Sequence, residues 1–122
     1  MQEVGTVVNP TLAAGQVQGG VVQAIGWALL EDCVWENGGM ANNGLTNYII
    51  PTSDDVPHID VHFIENPYEH GAMGSKGLGE LPMDGPAPAI ANAISNALGI
   101  DANRIPLTPE RIFSLTANAQ PA

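Results

Sequence analysis

The sequence has few basic side chains and a single cysteine, and each shortage excludes a class of function. Lys and Arg number 3 against 13 Asp and Glu, which gives a formal charge of −10. Nucleic acids and anionic membrane surfaces both attract basic patches, so neither is expected as a partner. Cys33 has no second cysteine with which to form an internal disulfide, and isolated His and Cys residues do not make a structural zinc site.

Long hydrophobic runs are also absent. No apolar stretch approaches the roughly 18–20 residues of a transmembrane helix, and the first residues show no signal-peptide core. We therefore expect a cytoplasmic protein, although a partner subunit could carry an export signal to the periplasm.

Apolar residues, glycine and proline are plentiful. Hydrophobic residues make up 44% of the chain, too many for a disordered acidic tail. A chain of this length can bury about two thirds of its unfolded surface, so a core is expected. The 14 Gly and 10 Pro exceed the usual share and predict long loops, where sites concentrate.

Local patterns predict one α+β domain over residues 1–122, with a short mixed sheet and about three helices. Strands are expected over 3–8, 34–36 with a turn at Asn37-Gly38, and 59–63. Helices are expected over about 13–32, over about 86–98 between an Asp84 cap and a Gly99 stop, and from Thr108 onward. Residues 65–85 are expected to form a long loop and residues 116–122 a frayed tail. Cys33 is predicted to be a core thiol at the end of the first helix.

One face of the first helix carries mostly glycine and glutamine. At about 100° per residue, this face comprises Gln16, Gly19, Gly20, Gln23 and Gly26. Each Gly in a helix costs about 1 kcal/mol relative to Ala, so three of them need a compensation. Either another backbone packs closely against the glycines, or a flat ligand approaches them while the amides hydrogen-bond its edge.

The segment 71–80, GAMGSKGLGE, contains the only lysine of the chain, Lys76. Its glycines permit positive φ angles and allow backbone N–H groups to converge on a ligand. The residue order fits neither a phosphate P-loop nor a dinucleotide fingerprint. Glu80 lies between Gly79 and Leu81, and a carboxylate among apolar neighbours can serve as a general base. The alternative is a solvated glutamate paired loosely with Lys76.

The histidines give a weaker signal. His58 and His62 lie four residues apart on the polar side of an expected strand, and His70 falls in the long loop. This spacing is more typical of a solvent-exposed face than of a metal site.

Four segments together resemble the molybdenum hydroxylases, the family of xanthine dehydrogenase, aldehyde oxidase and carbon monoxide dehydrogenase. The resemblance extends from Glu3 to about Phe113 and corresponds to the C-terminal part of the molybdopterin-binding subunit. The segments are VGTVVNP at 4–10, GQVQGGVVQAIG at 15–26, YIIPT at 48–52 and GSKGLGE at 74–80.

The resemblance implies a role for each matching residue. Glu80 matches the family's active-site base, which takes a proton from a molybdenum-bound hydroxyl. Gln16 matches a glutamine that hydrogen-bonds the pterin, and the Gly19/Gly20 pair would face the same group. The loop residues Gly74, Ser75 and Lys76 would line the cofactor beside the metal. No direct metal ligand is implied in this chain.

The resemblance also implies partners, because the family's cofactor subunit is several times longer than this chain. The remaining molybdopterin contacts, the iron–sulfur clusters and any FAD would belong to other segments, domains or subunits. The substrate would be a small molecule: an aldehyde, a purine or an aromatic heterocycle. Two alternatives stay open: an inactive domain or remnant that only binds partners, and a module that handles the cofactor. The isolated chain is expected to carry no molybdenum and to self-associate through uncovered apolar surface.

Overall fold

In residues 1–118, the part that this computed structural model describes, three α-helices combine with four two-residue strands. The helices are α1 (Pro10–Leu29), α2 (Pro86–Leu98) and α3 (Pro109–Asn118). The strands are β1 (Gln2–Glu3), β2 (Trp35–Glu36), β3 (Gly39–Met40) and β4 (Phe63–Ile64). The predicted α+β class is confirmed. None of the described helices is long and apolar enough to cross a bilayer.

Helix α1 begins and ends about three residues earlier than its apolar pattern predicts. The Asn9 side chain accepts a hydrogen bond from the Leu12 N–H at 3.0 Å, and Pro10 occupies the first helical position. These are strong start signals, because Asn caps a helix well and Pro needs no intrahelical donor there. At the other end, the N–H groups of Leu30 and Glu31 both turn back to the Gly26 carbonyl.

The strands form two separate pairs, one parallel and one antiparallel. Strand β1 pairs with β4 in parallel, with Gln2 opposite Phe63. Strands β2 and β3 form the predicted hairpin, whose turn residues Asn37 and Gly38 both have positive φ. The expected strands over 3–8 and 59–63 are shorter in the structure, because regular pairing between β1 and β4 is limited to two residues of each strand. After β1, the first segment makes only an isolated bridge, from Gly5 to Ser75.

The later helices follow their local signals closely. Helix α2 has the predicted bounds, and Gly99 ends it in the left-handed conformation with φ +65°. Its N-cap is Gly85 rather than Asp84, which lies one residue too early to cap. Helix α3 continues to Asn118, so the first part of the expected tail is helical; residues 119–122 lie outside the described range.

Small side chains of α1 form the centre of the core. Val17, Ala24 and Ala28 are buried there, and α1 packs against α2 and against a 3₁₀ turn, Leu81–Met83. Alanine and glycine on α1 allow this turn to approach the helix closely. The prediction for Cys33 is wrong: its thiol is exposed, because the chain leaves α1 before reaching it.

Candidate functional site

The glycine-rich segment lies against the residues that follow β1. The Thr6 N–H donates to the Gly74 carbonyl at 2.9 Å, and the Lys76 N–H donates to the Val4 carbonyl at 2.8 Å. Gly5 has φ +70°, and a Cβ there would lie 2.3 Å from the Gly74 oxygen. Only glycine fits this position, because any side chain would force the two segments apart.

Lys76 forms an ion pair that the sequence did not reveal. Its Nζ lies 2.8 Å from Glu3 Oε2, and Glu3 Oε1 accepts from the Gly5 N–H at 2.8 Å. Hydrogen bonds from the Lys76 ammonium, which has the larger effect, and from the Gly5 N–H lower the pKa of the Glu3 carboxyl from its ordinary value. Of the alternative in which Glu80 is a solvated glutamate paired with Lys76, the pairing is therefore wrong, whereas the Glu80 side chain is indeed exposed. Glu3 is 73 positions away from Lys76, and no local pattern could have indicated this pairing.

A pocket of about 360 Å³ opens beside this ion pair. Its walls come from the segment before α1, from the first two turns of α1 and from residues 75–78. It brings together three of the predicted cofactor residues, Gln16, Ser75 and Lys76. The Ser75 hydroxyl donates to the Ala72 carbonyl at 2.7 Å, which leaves its oxygen as an acceptor. Thr6 supplies a second hydroxyl that the sequence analysis missed.

The start of α1 contributes both polar and apolar side chains to the wall of this pocket: Asn9, Leu12, Ala13 and Gln16. Pro10 has no N–H, and the Leu12 N–H is already bonded to Asn9. The Thr11 N–H is the first-turn donor that these contacts leave unused, although Thr11 itself does not line the pocket. Gln16, one turn further on, directs its Nε2 to the Gly79 carbonyl at 2.9 Å, so its Oε1 stays available to accept a hydrogen bond.

The glycines of the α1 face have different surroundings. A Cβ on Gly20 would lie 2.9 Å from Pro82 Cβ, and one on Gly26 would lie 2.7 Å from Pro51 Cδ. Gly19, in contrast, faces open space, with no heavy atom within 4 Å of such a Cβ. The packing alternative therefore explains Gly20 and Gly26, while a cofactor contact at Gly19 stays a prediction. Neither Gly19 nor Gly20 lines the pocket.

Glu80 lies at the start of the 3₁₀ turn Leu81–Met83, with an exposed side chain. Its carbonyl accepts from the Met83 N–H at 2.8 Å. It does not line the pocket, but Leu78 does, two positions earlier. Glu80 thus follows the pocket-lining residues along the chain without itself lining the pocket, and its role as the base stays a prediction.

Outside this region, the histidines lie on the surface. His58 Nε2 is 3.0 Å from Asp60 Oδ1, and His70 Nε2 is 2.9 Å from Glu69 Oε1. No group of three or more His, Cys, Asp or Glu side chains within residues 1–118 is arranged to hold a metal ion.

Comparison with known proteins defines the class to which this chain belongs. Residues 1–57 match the family described as the molybdopterin cofactor-binding domain. The xanthine dehydrogenase molybdenum-binding subunit of Escherichia coli O157:H7 is 41% identical over 111 residues, which are 89% of this chain and 15% of that protein. The nicotine 6-hydroxylase large subunit of Paenarthrobacter nicotinovorans is 35% identical over 120 residues, 95% of this chain and 15% of that protein.

A solved structure extends the likeness to the fold. Quinoline 2-oxidoreductase from Pseudomonas putida 86 superposes with a TM-score of 0.88 and 36% sequence identity. The match covers 98% of this chain and 16% of that one. The chain belongs to the molybdopterin-binding part of the molybdenum hydroxylases, the family of xanthine dehydrogenase and aldehyde oxidoreductase. It spans about 15% of the length of these two curated relatives.

Proposed function

We propose that this chain supplies Glu80 as the general base, and part of the molybdopterin site, of a molybdenum hydroxylase. The enzyme would introduce a water-derived oxygen into an aldehyde, a purine or an aromatic heterocycle. The observation that supports this most is the single pocket shared by Gln16, Ser75 and Lys76, with Glu80 following on the same segment. The names of the relatives refer to the heterocycles xanthine, nicotine and quinoline and also to aldehydes, in line with this range of substrates.

The pocket has properties that suit part of a molybdopterin. Its volume of about 360 Å³ lies within the roughly 300–1,000 Å³ of small-molecule sites. The Gln16 Oε1 and the Ser75 hydroxyl offer acceptors to the N–H groups of a pterin edge. Gly74 would contribute the loop backbone, and its φ of +77° directs the chain into the turn before Ser75.

Charge in the pocket is nearly balanced. Lys76 is paired with Glu3, so the ammonium does not present a full unpaired charge to a bound anion. An anionic end of the cofactor would therefore be held mainly by N–H dipoles, and the first turn of α1, which borders the pocket through Asn9 and Leu12, is the helix start that could supply them. This explains how a chain of formal charge −10 could hold an anionic cofactor.

When bound, the molybdenum cofactor supplies the two-electron oxidation and the place where water-derived oxygen is activated. Glu80 would accept a proton at its carboxylate from that oxygen. The side chain is exposed and therefore accessible to a bound group, while the turn that begins at Leu81 holds its backbone. An accessible carboxylate on a held backbone suits a general base, which must be accessible to its partner and held in place.

The remaining parts of the enzyme would come from elsewhere. Because the chain spans about 15% of its first relatives, other segments must complete the molybdopterin site. Iron–sulfur clusters, and a flavin where one is used, would lie on partner chains or domains, since one cysteine cannot ligate a cluster. Two of the relatives are named as a molybdenum-binding subunit and a large subunit, which agrees with assembly from several parts.

Glu80→Gln in the assembled enzyme tests the proposal. The substitution keeps the shape of the side chain and removes the base, so turnover per molybdenum should fall by about 10²–10⁴-fold. Molybdenum content should stay that of the parent. Glu65→Gln, at another exposed glutamate, is the matched control and should leave turnover unchanged. Near-normal turnover of the Glu80→Gln enzyme at full molybdenum content would contradict the proposal and favour a non-catalytic domain.

A further inference from the structure

A single helix holds the backbone on both sides of Glu80. The Gln16 side chain donates to the carbonyl of Gly79, the residue immediately before Glu80, at 2.9 Å. One turn later on α1, Gly20 makes room for Pro82, which is fully buried. Helix α1 therefore contacts this segment on both sides of Glu80, through a hydrogen bond to the Gly79 backbone and through packing against the Pro82 ring.

The amide of Gln16 can serve two partners at once. Its Nε2 donor is committed to the Gly79 carbonyl, while its Oε1 acceptor belongs to a side chain that lines the pocket. Glutamate at this position would have no donor for Gly79 when ionised, and asparagine would be one methylene shorter. A glutamine therefore satisfies both requirements at this place in the fold.

We propose that Gln16 is a positioning residue for Glu80: its hydrogen bond to Gly79 fixes the base relative to whatever occupies the pocket. The proposal rests on the proposed function and adds a second role for Gln16. Contact with a cofactor through Oε1 would not require the hydrogen bond that Nε2 donates to Gly79. Positioning matters because a displacement of about 1 Å in a reacting group can lower a rate by about 10²-fold.

A second glutamine of α1 provides the control. Gln18 is also exposed and also donates its Nε2 to a distant carbonyl, that of Ile59, at 3.3 Å. Its partner lies away from Glu80 in the sequence and does not line the pocket. Loss of the two hydrogen bonds should therefore perturb the helix surface similarly while affecting Glu80 differently.

The test is a double-mutant cycle in the assembled enzyme, with turnover expressed per molybdenum. Gln16→Met removes the donor at similar length and should lower kcat by about tenfold to hundredfold when Glu80 is present. In the Glu80→Gln background the same change should lower the residual rate by less than about twofold, since no base is left to position. Gln18→Met should leave kcat unchanged in both backgrounds. If Gln16→Met does not yield folded enzyme, Gln16→Asn takes its place with the same expectation.

The outcomes separate this proposal from the one on which it rests. An equal loss in both backgrounds, or a normal rate per molybdenum together with reduced molybdenum content, would show that Gln16 only supports the fold or retains the cofactor. Either result overturns the positioning role and leaves the base assignment intact. Full activity of the Glu80→Gln parent would instead remove the proposed function itself.

Discussion

The adjacent glycines of α1 allow the packing of the Glu80 segment to be measured by a matched pair of substitutions. In a helix interior, Gly→Ala stabilises by about 1 kcal/mol. At Gly19 a new methyl group meets open space, so Gly19→Ala should show this gain. At Gly20 the same methyl would lie 2.9 Å from the buried Pro82 ring and 3.4 Å from the Met83 nitrogen.

Contact at that distance forces the turn away from the helix. Overpacking of this kind costs about 1–3 kcal/mol, so Gly20→Ala should range from neutral to about 2 kcal/mol less stable than the parent. The intrinsic helix gain is common to both variants and cancels in their difference. The two free energies of unfolding should therefore differ by about 1–3 kcal/mol, with Gly20→Ala the less stable.

Urea unfolding of the purified protein, followed by circular dichroism, measures this difference. With a slope of about 2 kcal/mol per M, a difference of 2 kcal/mol separates the midpoints by about 1 M. Equal midpoints for the two alanine variants would refute the conclusion that Pro82 occupies the space beside Gly20. They would favour the alternative in which a ligand contacts that face of α1.

Two ionisable pairs give further predictions. The pKa of Glu3 is lowered mainly by its hydrogen bond with Lys76. The pair therefore stabilises the fold at pH values above 4.5, the ordinary pKa of glutamate, and this stabilisation is lost as the pH falls through the lowered pKa of the folded protein. Glu3→Gln should therefore flatten the acid side of a plot of Tm against pH, and an unchanged acid side would contradict the pairing. Tyr48 donates to Glu31 Oε2 at 2.7 Å, which raises the pKa of the phenol, so this bond contributes below pH 10 and is lost as pH rises further. In an alkaline absorbance titration, Tyr48→Phe should remove the ionisation that lies above the usual tyrosine range, and its persistence would disprove the assignment.

The local sequence determined the elements whose signals lie within a few residues. Helix α2 follows from its apolar spacing and from Gly99, which adopts the left-handed conformation that stops a helix. The hairpin follows from Asn37-Gly38, because both residues tolerate positive φ. The start of α1 was predicted too late because the apolar spacing was given more weight than the Asn9 cap.

The motif residues themselves were also identified from sequence, through the glycine-rich segment and the order of four short motifs. The structure brings some of them together and separates others. Gln16, Ser75 and Lys76 share a pocket, whereas Gly20 packs against Pro82. A helical wheel predicts the direction in which each side chain points, but it does not show which other residue packs against that side of the helix.

Tertiary structure alone decided the contacts that connect distant segments. Lys76 lies beside Glu3, and Gln16 holds Gly79, across separations of 73 and 63 residues. Such pairings depend on how α1 and the first strand place the long loop, and no spacing rule extends that far. The sequence by itself determined which side chains could form the site. The packing of the 79–83 segment on α1, and of residues 74–76 on the residues after β1, decided which of them meet, because close approach and hydrogen bonding at these two contacts select one arrangement.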